Sequence, residues 1–415
     1  MLDSGVVFCY TDLYMRWAFL LGIWILAEVG GYYGLRRLGL WRPWMGWITP
    51  AVLGLLIVSF LAGRWITLPL PTYKKLQLLG GGLFLLWLAL ILGKLVGGLW
   101  GLLTTLGQKP PTADFSEGRR ATLQLLGGAL MSLPGVALGY GYWRGRYRFR
   151  VETIEVFLKD LPPAWEGTTI LHFSDLHSGS FLSPDALRPV WAEIKALRPD
   201  LIAFTGDWVN TFAGELEPFV ADLAELEAPL GKWAVWGNHD YGDYIMGATR
   251  ERKAKERAHL RHLVAAAGFH LLDNEAVLLE RDGERIALVG VGNWSHWRRF
   301  QRYGDLKAAW AQVPPDTCAI LLSHDPTHWE HEVQGNYPIA LTLSGHTHGL
   351  QVGVEWLGWR FSPAQWLFTY WAGLYRIGEQ YLYVNRGLGY IGLPARLGIW
   401  PEITLIRLRR HLDSV

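Results

Sequence analysis

The sequence predicts an α/β domain preceded by four transmembrane α-helices, and two observations carry this prediction. Residues 1–150 contain four apolar stretches, each close to the roughly 20 residues that a helix needs to cross a bilayer. Residues 151–415 instead alternate short β-rich apolar runs with helix-like stretches such as 185–198 and 250–267. We therefore expect a four-span membrane region over 1–150 and a soluble domain over 151–415, which opens with an alternating strand at 151–158.

The four apolar stretches have the composition of membrane helices. Trp and Tyr residues stand at their ends, and Gly is frequent, as in helices that pack closely within lipid. Two ionisable residues, Glu28 and Lys94, fall inside them. An intramembrane charge indicates transport or proton relay, unless it reaches the membrane surface and serves only as an anchor. The stretches are 17–35, 45–63, 76–100 and 121–143.

The charge distribution of the loops predicts the orientation in the membrane. Four spans put the N-terminus and the large domain on one side, which carries eight Arg and Lys residues against six on the other. The positive-inside rule thus favours, narrowly, a multi-pass protein of the cell membrane with its large domain in the cytoplasm. The segment GRRATLQLLGG at 118–128 resembles a twin-arginine export signal and favours the opposite side, unless its two arginines only anchor the fourth span.

Overall charge and cysteine content exclude several classes of function. A formal net charge of +2 gives no basic excess for a nucleic-acid groove, so we expect no nucleic-acid partner. The two cysteines, Cys9 and Cys318, are too few for a disulfide framework or a thiolate zinc site.

Five apolar runs in the soluble domain end in Asp, His or Asn. Ligands of α/β proteins collect just beyond the ends of the strands, so these polar side chains are expected to meet at one edge of a sheet. The runs are TTILHFSDLH (168–177), LIAFTGD (201–207), KWAVWGNHD (232–240), CAILLSHD (318–325) and IALTLSGHTH (339–348).

The side chains at these strand ends are predicted to bind two metal ions. So many polar groups in one buried place would each need a partner, which packing alone does not supply. Imidazole, carboxylate and amide groups without thiolate suit Mn²⁺, Fe or Zn²⁺, and seven ligands are too many for one ion. Mn²⁺ is our first choice. The seven are Asp175, His177, Asp207, Asn238, His324, His346 and His348.

The ordered blocks SDLH, TGD, GNHD, LSHDP and SGHTHG resemble those of the calcineurin-like metallophosphoesterases, and the resemblance covers 168–408. It implies a sandwich of two β-sheets flanked by helices, with the metal centre at one edge. It also implies a metal-dependent phosphoric ester hydrolase. One ion would be held by Asp175, His177 and His348, the other by Asn238, His324 and His346, and Asp207 would bridge both.

The resemblance also implies a mechanism. Two ions would hold a hydroxide that attacks phosphorus in line with the leaving oxygen. His239 would protonate that oxygen or stabilise the developing charge, with Asp240 orienting its ring. In the phosphatase branch of the family an Asp follows three residues after the bridging one. Asn210 stands there in this chain, so a strong carboxylate–histidine pair is not expected.

The C-terminal segments bear on the substrate. Residues 381–408 resemble the ending of the bacterial membrane-linked or exported branch of the family, and Arg386 and Arg396 are candidate phosphate contacts, with structural pairing as the alternative. Residues 354–375 contain four tryptophans and form either a packed flap or an aromatic surface that rests on the bilayer. Together with the spans, that surface favours a lipid-linked phosphoester such as UDP-2,3-diacylglucosamine, although a small-molecule phosphodiester, monoester or pyrophosphate is also compatible.

Two other functions are compatible with the sequence. One is a non-catalytic, metal-bound scaffold, against which the retention of all seven ligands and His239 argues. The other is a transporter-like membrane protein with a regulatory hydrolase domain, against which the scarcity of charges in the spans argues.

Overall fold

The computed structural model describes residues 24–36, 41–65, 70–105 and 117–411, apart from 246, 299, 357 and 358. The chain forms two compact units. One comprises the described residues of Met1–Thr67 with Leu76–Tyr140, and the other comprises the described residues of Leu68–Lys75 with Gly141–Val415.

The first unit is helical over almost all of its described length. Two segments, Thr72–Thr104 and Ala121–Tyr147, are long and apolar enough to cross a membrane. Residues 17–23 of the first predicted span lie outside the described residues. A four-span region therefore stays a prediction. The helices are 24–36 (α1), Met45–Trp65 (α2), Leu70–Thr105 (α3), whose first turn belongs to the second unit, and Glu117–Trp143 (α4).

Glu28 and Lys94, the two charges predicted inside the spans, pair with each other. Lys94 Nζ lies 2.7 Å from both Glu28 carboxylate oxygens and 2.6 Å from Thr49 Oγ1, and Trp24 Nε1 donates to Glu28. Lys94 is buried. An unpaired charge would be costly there, and the pair instead joins α1, α2 and α3.

The second unit contains two six-stranded β-sheets, so the two-sheet α/β sandwich that the resemblance implies is confirmed. The predicted strand at 151–158 is present as the first strand. The strands are Arg150–Leu158 (β1), Thr169–Phe173 (β2), Leu201–Phe204 (β3), Lys232–Ala234 (β4), His270–Leu271 (β5), Glu275–Arg281 (β6), Glu284–Gly290 (β7), Ala319–Leu322 (β8), Leu341–Ser344 (β9), Val354–Trp356 (β10), Trp359–Phe361 (β11), Gly373–Ile377 (β12), Gln380–Val384 (β13) and Glu402–Arg410 (β14).

The order of the strands determines which of them reach the site. The first sheet runs β1-β14-β2-β3-β4-β5, and the second runs β12-β13-β9-β8-β7-β6, while β10 and β11 form a separate hairpin. β2, β3 and β4 are mutually parallel, as are β8 and β9, so their carboxyl ends lie side by side within each sheet. The α-helices of five or more residues that lie wholly within the described residues of this unit are Arg188–Leu197 (α5), Val220–Ala224 (α6), Arg250–Ala266 (α7) and Leu306–Trp310 (α8).

Each sheet packs against hydrophobic residues on both of its faces, because neighbouring residues of one strand lie in two different hydrophobic cores. On β2, Ile170 packs in the core between the sheets, and Leu171 packs in the core shared with α5 and α7. On β8, Ile320 faces the core between the sheets, and Leu321 faces the outer core that includes residues of α8. Because side chains alternate along a strand, near-continuous apolar runs are what such doubly covered strands require.

Candidate metal centre

The seven predicted ligands follow five strands, three from one sheet and two from the other. Asp175 and His177 follow β2, Asp207 follows β3 and Asn238 follows β4. His324 follows β8, and the pair His346 and His348 follows β9. The structure brings all seven to the same edge of the sandwich, where the two sheets meet.

Sharp turns after these strands put several ligands in the left-handed backbone region. Positive φ angles are found at 51° for Asp175, 42° for His177, 62° for Asp207, 71° for His346 and 50° for His348. Non-glycine residues adopt this conformation at a cost, and such strain concentrates at functional sites. The turns direct the side chains toward one another instead of along the strands.

One group of side chains that can share an ion consists of Asp175, His177 and His348, whose ligand atoms lie within 4.8 Å of one another. His348 Nε2 is 3.2 Å from Asp175 Oδ1, and His177 Nε2 is 4.0 Å from the same oxygen. All three residues are buried.

A second group consists of Asp207, His324 and His346. His324 Nε2 lies 3.2 Å from both Asn238 Oδ1 and His346 Nδ1. Asp207 Oδ2 stands between the groups, 3.4 Å from His177 Nε2 and 3.3 Å from His324 Nε2. A ligand shared by two ions would have to stand in such a position. His348 belongs to the group of Asp175, and His346 belongs to the group of Asp207.

Unpartnered buried nitrogens show that these residues fit metal ions. Among the described residues, both ring nitrogens of His177 and Nε2 of His348 are buried and make no hydrogen bond. Burial opposes ionisation of Asp175 and Asp207, but the neighbouring imidazoles outweigh it and hold the pKa of both carboxyls below their ordinary value. Ionised carboxylates beside imidazole nitrogens that make no hydrogen bond are able to hold divalent metals.

Orientation of the ligand rings depends on partners outside the seven. His324 Nδ1 lies 2.7 Å from the carbonyl oxygen of Thr205, and Arg396 Nη2 donates to His348 Nδ1 at 3.0 Å. The Asp325 carboxylate lies 3.5 Å from His346 Nε2. Such partners fix which nitrogen faces the metal. The sequence prediction missed Asp325, although it directly follows a ligand in the LSHDP block.

The pKa of His324 makes metal binding dependent on pH. Burial alone would lower it, but the Asp207 carboxylate outweighs burial and raises the pKa of His324 to about 10. Below that pH the metal-free ring is protonated, so an ion must displace the proton. We expect the apparent Mn²⁺ affinity to rise about tenfold per pH unit between about pH 6.5 and 8.5. Calorimetric titration of the metal-depleted full chain, in two buffers of different ionisation enthalpy, measures the affinity and the proton release; an affinity independent of pH would contradict this.

His239 lies beside the seven residues and is held by the backbone. Its Nδ1 lies 2.7 Å from the carbonyl oxygen of Asn210, which only accepts, so Nδ1 carries the proton. The ring stacks on Tyr244 at 3.9 Å between centroids, and Tyr244 Oη accepts from Asn238 Nδ2. Burial lowers the pKa of His239 to about 4. The ring is therefore neutral at pH 7, with Nε2 as the nitrogen available to a substrate. The sequence prediction missed Tyr244, which is marked in the sequence by no more than being an aromatic residue soon after the GNHD block.

Asp240 does not orient the His239 ring, so that prediction is wrong. Its carboxylate accepts from three backbone N–H groups instead, those of Asp207 at 2.9 Å, Trp208 at 2.8 Å and Gly237 at 2.8 Å. These bonds clamp the loop after β3 to the loop after β4. Asp240 therefore shapes the turns that carry Asp207 and His239.

Arg386 and Arg396 do not reach the site cavity, which corrects their prediction as phosphate contacts. Arg386 is 2% exposed and pairs with Glu402, with Glu355 at 2.6 Å and with Glu152 at 3.6 Å. Arg396 is fully buried and donates to backbone carbonyls and to His348. Both arginines therefore have the structural role that was the alternative, because their guanidinium groups are bonded to carboxylates or carbonyl oxygens inside the protein.

Replacing Arg386 by methionine is expected to destabilise the protein by about 3–5 kcal/mol, because it leaves the Glu402 carboxylate buried without its partner. Urea unfolding of the full chain measures this. Arg376→Met is the matched control, since Arg376 is half-exposed and its pair with Glu379 contributes about 0–1 kcal/mol. Unchanged stability with a raised KM would instead support direct substrate binding by Arg386.

Five of the seven proposed ligands line a cleft of about 320 Å³, and Asp175 and His324 lie outside this lining. Many of the other lining residues are apolar. The lining residues are His177, Asp207, Asn238, His239, Tyr244, Phe300, His346, Thr347, His348, Leu350, Gln351, Leu367, Phe368, Ile391 and Leu393.

Comparison with known proteins decides the family. The metallophosphoesterase YkuE of Bacillus subtilis is 32% identical over 296 residues, which are 69% of this chain and 96% of YkuE. This chain belongs to the calcineurin-like phosphoesterase family. The family model for calcineurin-like phosphoesterases matches residues 168–350, the segment that contains all seven proposed ligands.

Two further relatives have more specific names. UDP-2,3-diacylglucosamine pyrophosphatase LpxG of Chlamydia trachomatis is 30% identical over 268 residues, covering 54% of this chain and 78% of LpxG. A transmembrane protein with metallophosphoesterase domain from Bos taurus is 30% identical over 269 residues, covering 62% of this chain and 57% of the bovine protein. Family membership makes this chain a metal-dependent phosphoester hydrolase.

Proposed function

We propose that this chain is a membrane-anchored, two-metal phosphoesterase whose substrate is a lipid-linked phosphoester or pyrophosphate. The observation that carries the proposal is the mixed lining of the cleft. His177, His346, His348 and Asp207 line it together with apolar residues, among them Leu350, Leu367 and Ile391, which we call the apolar wall. A phosphate attached to a lipid has the matching chemistry, with a charged group next to an apolar one.

We assign two divalent ions to the seven side chains, with Mn²⁺ as first choice and Fe or Zn²⁺ as alternatives. When bound, the ions would activate a water molecule and neutralise charge on the phosphate oxygens. The chain's own side chains then have fixed tasks. One ion is assigned to Asp175, His177 and His348, the other to Asn238, His324 and His346, and both to Asp207.

His239 is assigned to the leaving oxygen. Its Nδ1–H is bonded to the Asn210 carbonyl, so Nε2 faces the chemistry. A neutral ring presents a lone pair there and donates only after it has taken up a proton. A nearby anionic phosphate raises the pKa of an imidazole and favours that uptake.

The aromatic segment 354–375 supports contact with lipid. Trp359 and Trp366 are 82% and 72% exposed, and Trp366 immediately precedes Leu367 of the cleft wall. Trp371, by contrast, is buried. We assign the exposed tryptophans to the headgroup region of the bilayer, where aromatic rings of this kind collect.

Membrane anchoring is assigned to the N-terminal unit. The apolar segments Thr72–Thr104 and Ala121–Tyr147 support it, as does the bovine relative that is named a transmembrane protein. We also assign spans to the other two apolar stretches, and the catalytic unit to the cytoplasmic side, following the charge bias of the loops.

LpxG, a pyrophosphatase named for UDP-2,3-diacylglucosamine, makes that lipid the first substrate to test. The purified full chain with Mn²⁺ would be assayed on this lipid and on bis(p-nitrophenyl) phosphate. We expect turnover of both. Turnover of the diester alone would contradict the lipid substrate and leave the phosphoesterase standing.

Leu367→Asn tests the apolar wall directly. We expect about a tenfold higher KM for the lipid and an unchanged KM for the small diester, because only the lipid has an apolar group to lose. Leu374→Asn is the matched control, since Leu374 is comparably exposed but lies outside the cleft lining. Equal effects of the two variants would contradict lipid binding by this wall.

A further inference from the structure

Glu215 is a fully buried carboxylate that takes no part in the metal centre. It accepts hydrogen bonds from three successive backbone N–H groups, those of Asn210 at 2.6 Å, Thr211 at 3.3 Å and Phe212 at 3.3 Å. A carboxylate buried in this way is costly, and it persists where it organises its surroundings. Here it fixes the loop that follows Asp207.

The loop held by Glu215 is the one that orients His239. The carbonyl oxygen of Asn210 and the N–H of Thr211 belong to the same planar peptide group and point in opposite directions. The N–H donates to Glu215, and the carbonyl accepts from His239 Nδ1. A rotation of this peptide would therefore break both bonds, so the carboxylate holds the imidazole through one rigid group.

Glu215 also contacts the segment that follows the ligand His177. A Cβ atom at Gly179 would overlap Glu215 Oε2, so the chain passes directly against the carboxylate and only glycine fits. Asn210 Nδ2 donates to Ser180 Oγ at 3.3 Å in the same place. The loop after β2 and the loop after β3 thus rest on one buried group.

The positive charge that acts on Glu215 comes from Lys74, in the first turn of α3. Lys74 is 8% exposed, and its Nζ lies 3.5 Å from the carbonyl oxygen of Ser178. Burial raises the pKa of the Glu215 carboxyl, and the charge of Lys74 opposes that rise. The ring of the adjacent Tyr73 contacts that of Phe212 at 5.5 Å between centroids. Leu68–Lys75 accordingly belongs to the same compact unit as the metal centre.

We propose that Glu215 and Lys74 are positioning residues for His239. The N-terminal end of α3 then helps to orient a side chain of the active site. The inference rests on the role of His239 in the proposed function. A fragment that begins at residue 151 would lack Lys74 and leave Glu215 buried without this cation. The segment Leu68–Lys75, which precedes residue 151 in the sequence, would then contribute to catalysis.

The test compares Glu215→Gln and Lys74→Met in the full chain. Lys75→Met is the matched control, because Lys75 is the neighbouring residue and is exposed. Each variant would be assayed on a p-nitrophenyl diester and on an alkyl diester, whose leaving oxygen depends more on proton donation. We expect kcat for the alkyl diester to fall about tenfold to a hundredfold, with a smaller fall for the p-nitrophenyl diester and unchanged KM. Lys75→Met should match the wild type, and Lys74→Arg should restore most of the activity.

Combining each change with His239→Ala separates positioning from general damage. If Glu215 and Lys74 act through His239, adding either change to His239→Ala produces no further loss. Equal losses on both diesters, or full additivity with His239→Ala, would overturn the inference and leave the proposed function intact. Wild-type rates in His239→Ala alone would overturn this inference together with the role assigned to His239 in the proposed function. Lys74→Met keeps the test valid if Glu215→Gln does not fold.

Discussion

Replacing Asp207 by alanine is expected to lower kcat for phosphodiester hydrolysis by about a thousandfold or more, because several kcal/mol of transition-state stabilisation depend on the two ions. Asp207 Oδ2 lies 3.4 Å from His177 Nε2 and 3.3 Å from His324 Nε2, so its loss affects both proposed sites. Its other oxygen accepts from the backbone N–H of His239 at 2.8 Å. The substitution therefore disturbs the ligands and the assigned acid together.

Rates and metal content of the purified full chain measure this effect. We expect bound metal to fall below two ions per chain, since a shared ligand is lost. Asp185→Ala is the matched control, because Asp185 is a surface carboxylate paired with exposed Arg188. Full activity in Asp207→Ala would contradict the assignment of this residue to both ions.

Replacing His239 by alanine is expected to lower kcat by about 10²–10⁴-fold, the usual contribution of a positioned proton donor. The loss should be larger for an alkyl than for a p-nitrophenyl leaving group. His239 Nδ1 is bonded to the Asn210 carbonyl, so metal content should stay unchanged.

Metal content also decides between two roles of His239. The ring lies close enough to His177 and Asp207 to join them around an ion. A loss of bound metal in His239→Ala would therefore identify it as a ligand and contradict the assigned role. His259→Ala is the matched control, because His259 is a half-exposed histidine that pairs with Glu217 away from the cleft.

The seven proposed metal ligands could be predicted from the sequence because the information that marks them is local. Each ligand follows its strand directly, so strand-end motifs are enough to find residues such as Asp175 and His346 and to expect them at one edge. The same reasoning finds the strand at β1 and the helices at α5 and α7 within a few residues.

The surroundings of the site could not be predicted, because they depend on contacts between distant parts of the chain. Arg386 looks like a phosphate contact until Glu355 and Glu402 are seen to enclose it. In the sequence, Lys74 is a basic residue just before a predicted span. Only the structure shows that this end of α3 lies beside the loop held by Glu215. Asp240 differs, because its clamping of two turns depends on backbone N–H groups that no side-chain motif reveals.

Titrating metal back into the metal-depleted full chain tests the central claim most directly. Hydrolysis of bis(p-nitrophenyl) phosphate would be followed while Mn²⁺ is added, with bound metal measured on the same samples. Two ions at adjoining sites predict negligible activity in the depleted protein and full activity only when two equivalents are bound per chain. Hydrolysis that survives complete depletion, or that is complete at one equivalent, would contradict the two-metal account.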